Sequence, residues 1–363
     1  MSDLWIEHPA GVGAAFEALV RDQPLALDTE FMRERTYFPQ LALVQAADAR
    51  GTVHLFDPLG AGVPAALAAP IAAADALMHS ASEDLVAFRH ALGVLPRTLY
   101  DTQIAAAFAG LGPAIGYQGL VQTLLGVALP KGETRSDWLR RPLSDDQLGY
   151  AADDVRHLHA CAAALDARLR ERGHRERALA DMRRMLEAAR EDRDDPQPHL
   201  AIRPAAQLDR AAQARLRRLL RWRDATARRK DLPKRWLLDN ELALTLARRP
   251  PPDVEAVSAL LASARSARRL ADEIAALLDA PLDADEATMP LAREPERADR
   301  ARLKAMQAAV AVQAAALDLP EGLLCARRHL ESLASDGRWP TALDGWRREV
   351  LEGPLRQALE AAP

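Results

Sequence analysis

Cysteine occurs only twice in the 363 residues, at Cys161 and Cys325. That excludes a disulfide framework and any cysteine-based zinc site, and it fits a reducing cytoplasm. Aromatic residues are few as well, 4% of a chain that is 49% hydrophobic. Ala, Leu and Arg dominate instead, a composition that favours helix wherever the apolar period allows it. Long hydrophobic runs are missing too. The most apolar stretch, residues 64–78, is mostly Ala and carries Pro70 and Asp75, well short of the roughly 20 apolar residues of a membrane span. The opening MSDLWIEHPAGVG lacks a basic segment followed by an apolar one, so neither a secretory leader nor a membrane location is expected.

What remains is the profile of a folded globular protein, with 28% charged residues and length for two or three domains at about 150 residues each. The net charge of −4, from 48 basic and 52 acidic residues, hides a division. Residues 1–170 hold 13 basic against 20 acidic residues, a net −7, whereas 208–250 hold 13 against 5, a net +8. Charged helix surfaces produce such runs without any partner. An enzyme that binds cations in one domain and a polyanion in another produces them as well.

The first 80 residues read as α/β. Leu25-Ala26-Leu27 is a short apolar run leading into Asp28-Thr29-Glu30; Leu41–Ala46 and Thr52–Asp57 are strand-like; Ala76–His79 is a fourth candidate. Helices follow. Ser82 is placed to cap one of them, and Ser144 with Gln147 forms a capping box opening a helix that runs to about Arg172, with Gly173 as its stop. Residues 191–204, EDRDDPQPHLAIRP, are the clearest linker. Everything beyond is helical in pattern. Pro250-Pro251-Pro252 interrupts one unit, and residues 282–296 separate it from a last one.

Three acidic patches attract attention. In a strand, residues i and i+2 share a face, so Asp28 and Glu30 project together, at the strand end and beyond the core. Two neighbouring carboxylates repel, and a hard divalent cation such as Mg²⁺ or Mn²⁺ removes that cost; a solvated turn accommodates them equally. Asp84 sits in a first helical turn, where an acid also serves simply to complement the helix dipole. Tyr150 and Asp154, four residues apart, share a helix face, as does many a packing Tyr beside a surface Asp.

Order and flanking residues join these patches. Leu27-Asp28-Thr29-Glu30-Phe31 is followed by Arg33, Tyr37, Pro39 and Leu41-Ala42-Leu43-Val44-Gln45. Next comes His79-Ser80-Ala81-Ser82-Glu83-Asp84-Leu85, then Tyr100-Asp101-Thr102-Gln103. Last comes Ser136-Asp137-Trp138-Leu139-Arg140-Arg141-Pro142-Leu143, running into Tyr150-Ala151-Ala152-Asp153-Asp154-Val155. This pattern resembles the DEDD superfamily of 3′→5′ exonucleases, in the subgroup with Tyr in the third motif, and is most similar to the bacterial ribonuclease D family. The resemblance implies an RNase H-like α/β domain with a mixed sheet over residues 1–172. It implies two divalent metal ions, Mg²⁺ or Mn²⁺. Asp28 would bridge them, Glu30 and Asp154 would complete the ligands of the first metal, and Asp84 would hold the second metal, partly through water. Tyr150 would orient the attacking water. Glu83 and Asp153 fall outside the motif register, and Asp101 reads as structural. The implied substrate is RNA with a free 3′ end, tRNA precursors among them, cut to nucleoside 5′-monophosphates.

The basic half continues the likeness. Ten basic residues lie between Arg215 and Arg235. Seven of them, Arg217, Arg218, Arg221, Arg228, Arg229, Lys230 and Lys234, are the candidates for binding nucleic-acid phosphates. Trp222 and Trp236 read as core anchors of a small bundle. Leu219–Asp224, Ala227–Pro233 and Leu237–Leu242 resemble the HRDC domain shared by RecQ-type helicases and ribonuclease D. Leu317–Pro320, Leu323–Arg328 and Gly345-Trp346-Arg347 are similar to its second, more divergent copy, with Pro320 ending a helix near Leu319. The expected layout is a catalytic domain over 1–172, a connecting helix and linker over 173–206, and two all-α HRDC bundles over 207–282 and 297–361, in a monomer. Two other functions stay open at this level: a DNA exonuclease of the same fold, and a non-catalytic RNA-binding scaffold.

Overall fold

Nearly continuous burial along the central strands marks a six-stranded mixed sheet covered on both faces. Its members are β1 (Leu4–Ile6), β2 (Leu25–Met32), β3 (Gln40–Ala47), β4 (Val53–Phe56), β5 (Asp75–Met78) and β6 (Thr98–Asp101). The computed structural model describes residues 4–19, 24–130, 132, 136–191, 194–261, 269–294 and 296–361. The strand order is β1-β4-β3-β2-β5-β6. β2–β3 and β3–β4 pair antiparallel, and the remaining neighbours pair parallel. The four strands read from the sequence are all present, and the structure adds β1 and β6. Both are edge strands, of three and four residues.

β2 also runs further than its sequence implied. Asp28 and Glu30 lie inside the strand, opposite Gln45 and Leu43 of β3, and a bulge follows Glu30. They do not project past the strand end, because β3 goes on pairing as far as Met32.

Helices cover both faces of the sheet. Leu25, Leu27, Val44, Ala46 and Phe56 pack with α1 (Pro9–Leu19), α2 (Val63–Ala73) and α3 (Ser82–Leu92). Ala26, Leu43, Ala47, Leu55 and Leu77 pack with Trp138 and with Ala151, Ala152 and Val155 of α6 (Asp145–Arg156). Between them in the chain lie α4 (Thr102–Phe108) and α5 (Tyr117–Leu125). The Ser144–Gln147 capping box opens α6 as its spacing predicts. The long helix expected to continue from there instead breaks at His157, and α7 (Leu158–Glu171) resumes from it. Ser82 is the first residue of α3 and not its cap. The backbone N–H groups of Ser80 and Ala81 donate to the Asp101 carboxylate at 3.3 and 2.8 Å. Asp101 also accepts from Gln103 and Ile104 at the start of α4. It is therefore a structural tie between two helix starts.

The chain divides into two compact units, and the division does not follow the linear order of the sequence. Unit 1 comprises 1–32, 39–192 and 295–363. α8 (Arg175–Glu191), read as a connector, packs against β6, α3 and α4 within it. The C-terminal helices Arg297–Ala316, Arg327–Asp336 and Trp346–Ala361 belong to it as well. Arg347, nearly buried, forks onto the Asp181 carboxylate of α8, with Nη2 at 2.6 Å, and Trp346 Nε1 donates to the same group at 3.2 Å.

Unit 2 is 193–294 together with residues 33–38. Its axis is α9 (Arg210–Lys230), packed by the helices Asn240–Arg248 and Ala271–Asp279. The Asp231 carboxylate at the end of α9 accepts the N–H groups of Tyr37 and Phe38, each at 3.0 Å. The Tyr37 hydroxyl accepts from Arg228 Nε at 3.0 Å. The stretch 282–296, read as a separator, contains the helix Ala284–Thr288, and its Glu286 is buried against Arg218. Arg218 also donates to the carbonyls of Leu277, Ala280 and Pro281 at 3.1, 2.6 and 2.7 Å. Removing one partner of such a pair strands a buried charge, at about 3–5 kcal/mol. Arg218→Ala is thus expected to destabilise unit 2 by that amount in urea unfolding, and Arg218→Met with Glu286→Leu to recover most of it. Equal urea midpoints for wild type and Arg218→Ala would make the pair energetically idle.

Candidate active site

The first and third motifs meet above the α6-covered face of the sheet. β2 presents Asp28 and Glu30 on one side of the strand, and α6 brings Asp154. Ligand oxygens of Asp28, Glu30 and Asp154 all lie within 4.8 Å of one another. Asp84 stands beside this trio, not inside it. It is 7% exposed in the first turn of α3 and accepts a hydrogen bond from the Thr29 hydroxyl. Thr29 alternates with Asp28 and Glu30 along β2, so it reaches the α3 side of the sheet. Of the two acids left out by register, Glu83 is exposed and Asp153 is paired with Arg156 at 3.2 Å.

Crowding shows in the acidities. Burial, then the charges of Asp84, Asp154 and Glu30, hold the Asp28 carboxyl well above its ordinary range. Burial, Asp154 and Asp84 push Glu30 to about 8. Burial lifts Asp154 to about 7 and Asp84 to about 6, against the hydrogen bonds they receive from Tyr150 and Thr29. A set of hard oxygen donors that resist ionisation together fits a divalent cation, which prefers oxygen ligands and neutralises them.

The metal-free protein therefore has a defined pH signature. Carboxyls whose acidity is weakened by folding stabilise the fold while protonated, and this stabilisation is lost as pH rises through about 6–8. In EDTA, Tm is expected to fall between pH 5 and 8, and saturating Mn²⁺ to abolish the slope with release of protons. A Tm that rises over that interval in EDTA would contradict the crowding.

Tyr150 lies one turn before Asp154, and its hydroxyl is hydrogen-bonded to the Asp154 carboxylate. Burial, then Asp154, Glu30 and Asp28, keeps the phenol protonated far above its usual range. Its ring packs near Trp138, with centroids 6.2 Å apart. Two further residues hold this helix, and sequence reasoning missed both. Tyr117 Oη donates to the Asp153 carbonyl at 3.1 Å and accepts from the His157 N–H at 3.2 Å, bridging the α6–α7 break. Gly132 passes so close to Tyr150 that any Cβ there would overlap the ring. Gly132→Ala is expected to displace the phenol and lower kcat by up to about 10²-fold, as small misplacements do; an unchanged kcat would mean the segment yields.

The seven basic candidates separate. Arg217 is 4% exposed and pairs with Asp285 at 2.5 Å, and Arg218 is bound to Glu286. Both lie on the packed side of α9, where a guanidinium must find a carboxylate, and the acids that serve are nearly seventy residues away in the chain. These two leave the phosphate-binding set. Arg228 and Lys234 engage Asp224. Arg221, Arg229 and Lys230 are exposed. Trp222 is partly buried against the bundle core and donates to Glu273 at 2.8 Å. Trp236, expected in the core, is exposed instead.

The chain is similar to known proteins. Residues 4–170 match a family described as 3′-5′ exonuclease, and residues 212–278 match the HRDC domain. Ribonuclease D of Xanthomonas oryzae is 49% identical over 99% of both chains, and that of Pseudomonas paraeruginosa is 35% identical over 94% of both. The crystal structure of Escherichia coli RNase D, an exoribonuclease involved in structured RNA processing, superposes with a TM-score of 0.86 at 30% identity, covering all of each chain. With its exonuclease and HRDC segments in the same order and its length matched end to end, the chain belongs to the ribonuclease D family.

Proposed function

We propose that this chain is a metal-dependent 3′→5′ exoribonuclease that removes nucleoside 5′-monophosphates from RNA 3′ ends, tRNA precursors included. The observation that carries the reading is the convergence of Asp28, Glu30 and Asp154 within 4.8 Å, with Tyr150 one helical turn from Asp154. Two divalent ions, Mg²⁺ or Mn²⁺, would make a bound water more acidic and neutralise the leaving 3′ oxygen. Asp28, Glu30 and Asp154 would hold one ion and Asp28 with Asp84 the other. The Tyr150 hydroxyl would hold the attacking water by hydrogen bond and orient it towards the terminal phosphodiester. Thr29, through its bond to Asp84, keeps that carboxylate turned towards β2. The two cysteines are free and buried, which fits a cytoplasmic protein, and no helix among the described residues is long and apolar enough to cross a membrane. The helices over 297–361 supply a second, divergent HRDC copy, and the chain acts as a monomer.

The test is a pair of 5′-labelled substrates of one sequence, one RNA and one DNA, with free 3′ ends. RNA is expected to shorten by single nucleotides, to release 5′-monophosphates, and to stop in EDTA. Preferred degradation of DNA, internal cuts, or full activity in EDTA would each overturn the proposal.

Long-range attraction has to come from outside the net-negative catalytic half, and exposed cations of the basic segment supply it. Arg221, Arg229 and Lys230 replaced by Gln should weaken tRNA binding and flatten its log–log salt slope by about 0.7 for each phosphate no longer neutralised. An unchanged slope would make them ordinary solvated side chains. Point substitutions are the right instrument here, because truncation after residue 206 would also remove the Arg347–Asp181 packing of unit 1.

A further inference from the structure

Gln45 is fully buried in the middle of β3, and neither its amide nitrogen nor its amide oxygen bonds to any protein group among the described residues. Its surroundings are apolar: Leu43, Val44, Ala46 and Ala47 precede and follow it, and Leu55 faces it from β4. A Met or Leu would fill that volume without burying an amide, so packing alone is a poor reason for Gln here. Its position supplies another. Gln45 is the register partner of Asp28. Directly opposed residues of an antiparallel pair point to the same face, with Cβ atoms about 4.5–5.5 Å apart. The face is the one covered by α6, because Leu43 and Ala47, two residues either side, pack with Ala151, Ala152 and Val155. Gln45 thus shares the face of the carboxylate cluster, opposite the acid to which both ions are assigned.

We propose that Gln45 is a positioning residue for the metal site: its amide N–H, which meets no protein acceptor directly, donates through one water to the Asp28 carboxylate and turns the remaining lone pairs towards the cations. Ligating carboxylates are commonly oriented by such hydrogen bonds, and loss of the orienting group costs about 10–100-fold in metal affinity. A donor that fixes one rotamer of Asp28 also explains why an amide, which cannot ionise, is used where another acid would add to the repulsion.

This inference rests on the reading of the cluster as a divalent-cation site, and one titration separates the two. Mn²⁺ binding is measured by electron paramagnetic resonance on metal-free wild type, Gln45→Met, Gln45→Asn and Asp28→Asn, with Tm recorded in EDTA. Wild type should bind Mn²⁺ and Asp28→Asn should not; failure of wild type to bind would overturn the metal reading itself. Gln45→Met should bind Mn²⁺ about 10–100-fold more weakly while its Tm in EDTA stays level or rises. Gln45→Asn, which retracts the amide by one methylene, should also lose affinity and gives the answer if the Met variant does not fold. Wild-type affinity in either folded variant would leave Gln45 a structural amide and overturn the proposal.

Discussion

Asp28→Asn is expected to lower kcat by at least about 10³-fold, near 4 kcal/mol of barrier, while raising Tm in EDTA. The two effects have one cause. Asp28 is the acid whose ionisation is opposed by all three others, Asp84, Asp154 and Glu30. Neutralising it relieves that repulsion in the metal-free fold, so the protein gains stability. The same neutralisation removes the carboxylate around which the other ligands are gathered, so the cation loses its central ligand. A loss of activity with a lower Tm would point to a damaged fold and say nothing of catalysis; the opposite signs identify a ligand. Steady-state kinetics on a 3′-labelled oligoribonucleotide and thermal melts in EDTA are the two measurements. Retention of more than about a tenth of wild-type kcat, roughly 1.4 kcal/mol of barrier, would remove Asp28 from the metal shell. Asp154→Asn should behave in the same way, since its oxygen lies in the same 4.8 Å group.

Tyr150→Phe is expected to reduce kcat by about 10²–10⁴, the range for a positioned proton-transfer or water-orienting group, with KM for RNA little changed. The ring is held independently of its hydroxyl, between Trp138 and the close backbone of Gly132. Phe should therefore occupy the same place, and the substitution isolates one oxygen atom. Asp154 loses a hydrogen bond that favours its ionised form, so Mn²⁺ affinity should fall only modestly. If kcat stays at the wild-type value, the hydroxyl does not orient the water, and the ring serves packing alone. If kcat and Mn²⁺ affinity fall in the same proportion, Tyr150 acts by holding Asp154, and the water is oriented by other groups.

How much of this was legible in the chain depends on the range of the forces involved. Local signals were read correctly: the Ser144–Gln147 capping box, the strands β2 to β5, and the helix pause at Pro250-Pro251-Pro252 each arise from residues within a few positions of one another. Asp28, Glu30, Asp84, Tyr150 and Asp154 were singled out only through the resemblance to a family pattern, since each patch by itself is equally an ordinary solvated or packing group. Sequence alone left Ser82 as a cap, α8 as a connector and residues 282–296 as a separator. In each case a distant group decided otherwise: the Asp101 carboxylate at Ser80 and Ala81, Arg347 on Asp181, and Arg218 on Glu286.

The basic segment shows the same limit most sharply. Its charge of +8 is a property of composition and holds whatever the fold. Which cations stay available to phosphate is a property of packing, since Arg217 and Arg218 on the inner side of α9 meet Asp285 and Glu286 and are neutralised, whereas Arg221, Arg229 and Lys230 remain at the surface. Gln45 belongs to the same class. The chain names it as one polar residue in an apolar strand, and only the β2–β3 register sets it opposite Asp28. Residue type and local spacing determine which chemistry the protein is able to perform. The tertiary structure determines which of those groups share a site, because burial and long-range pairing act on side chains that are far apart in the chain.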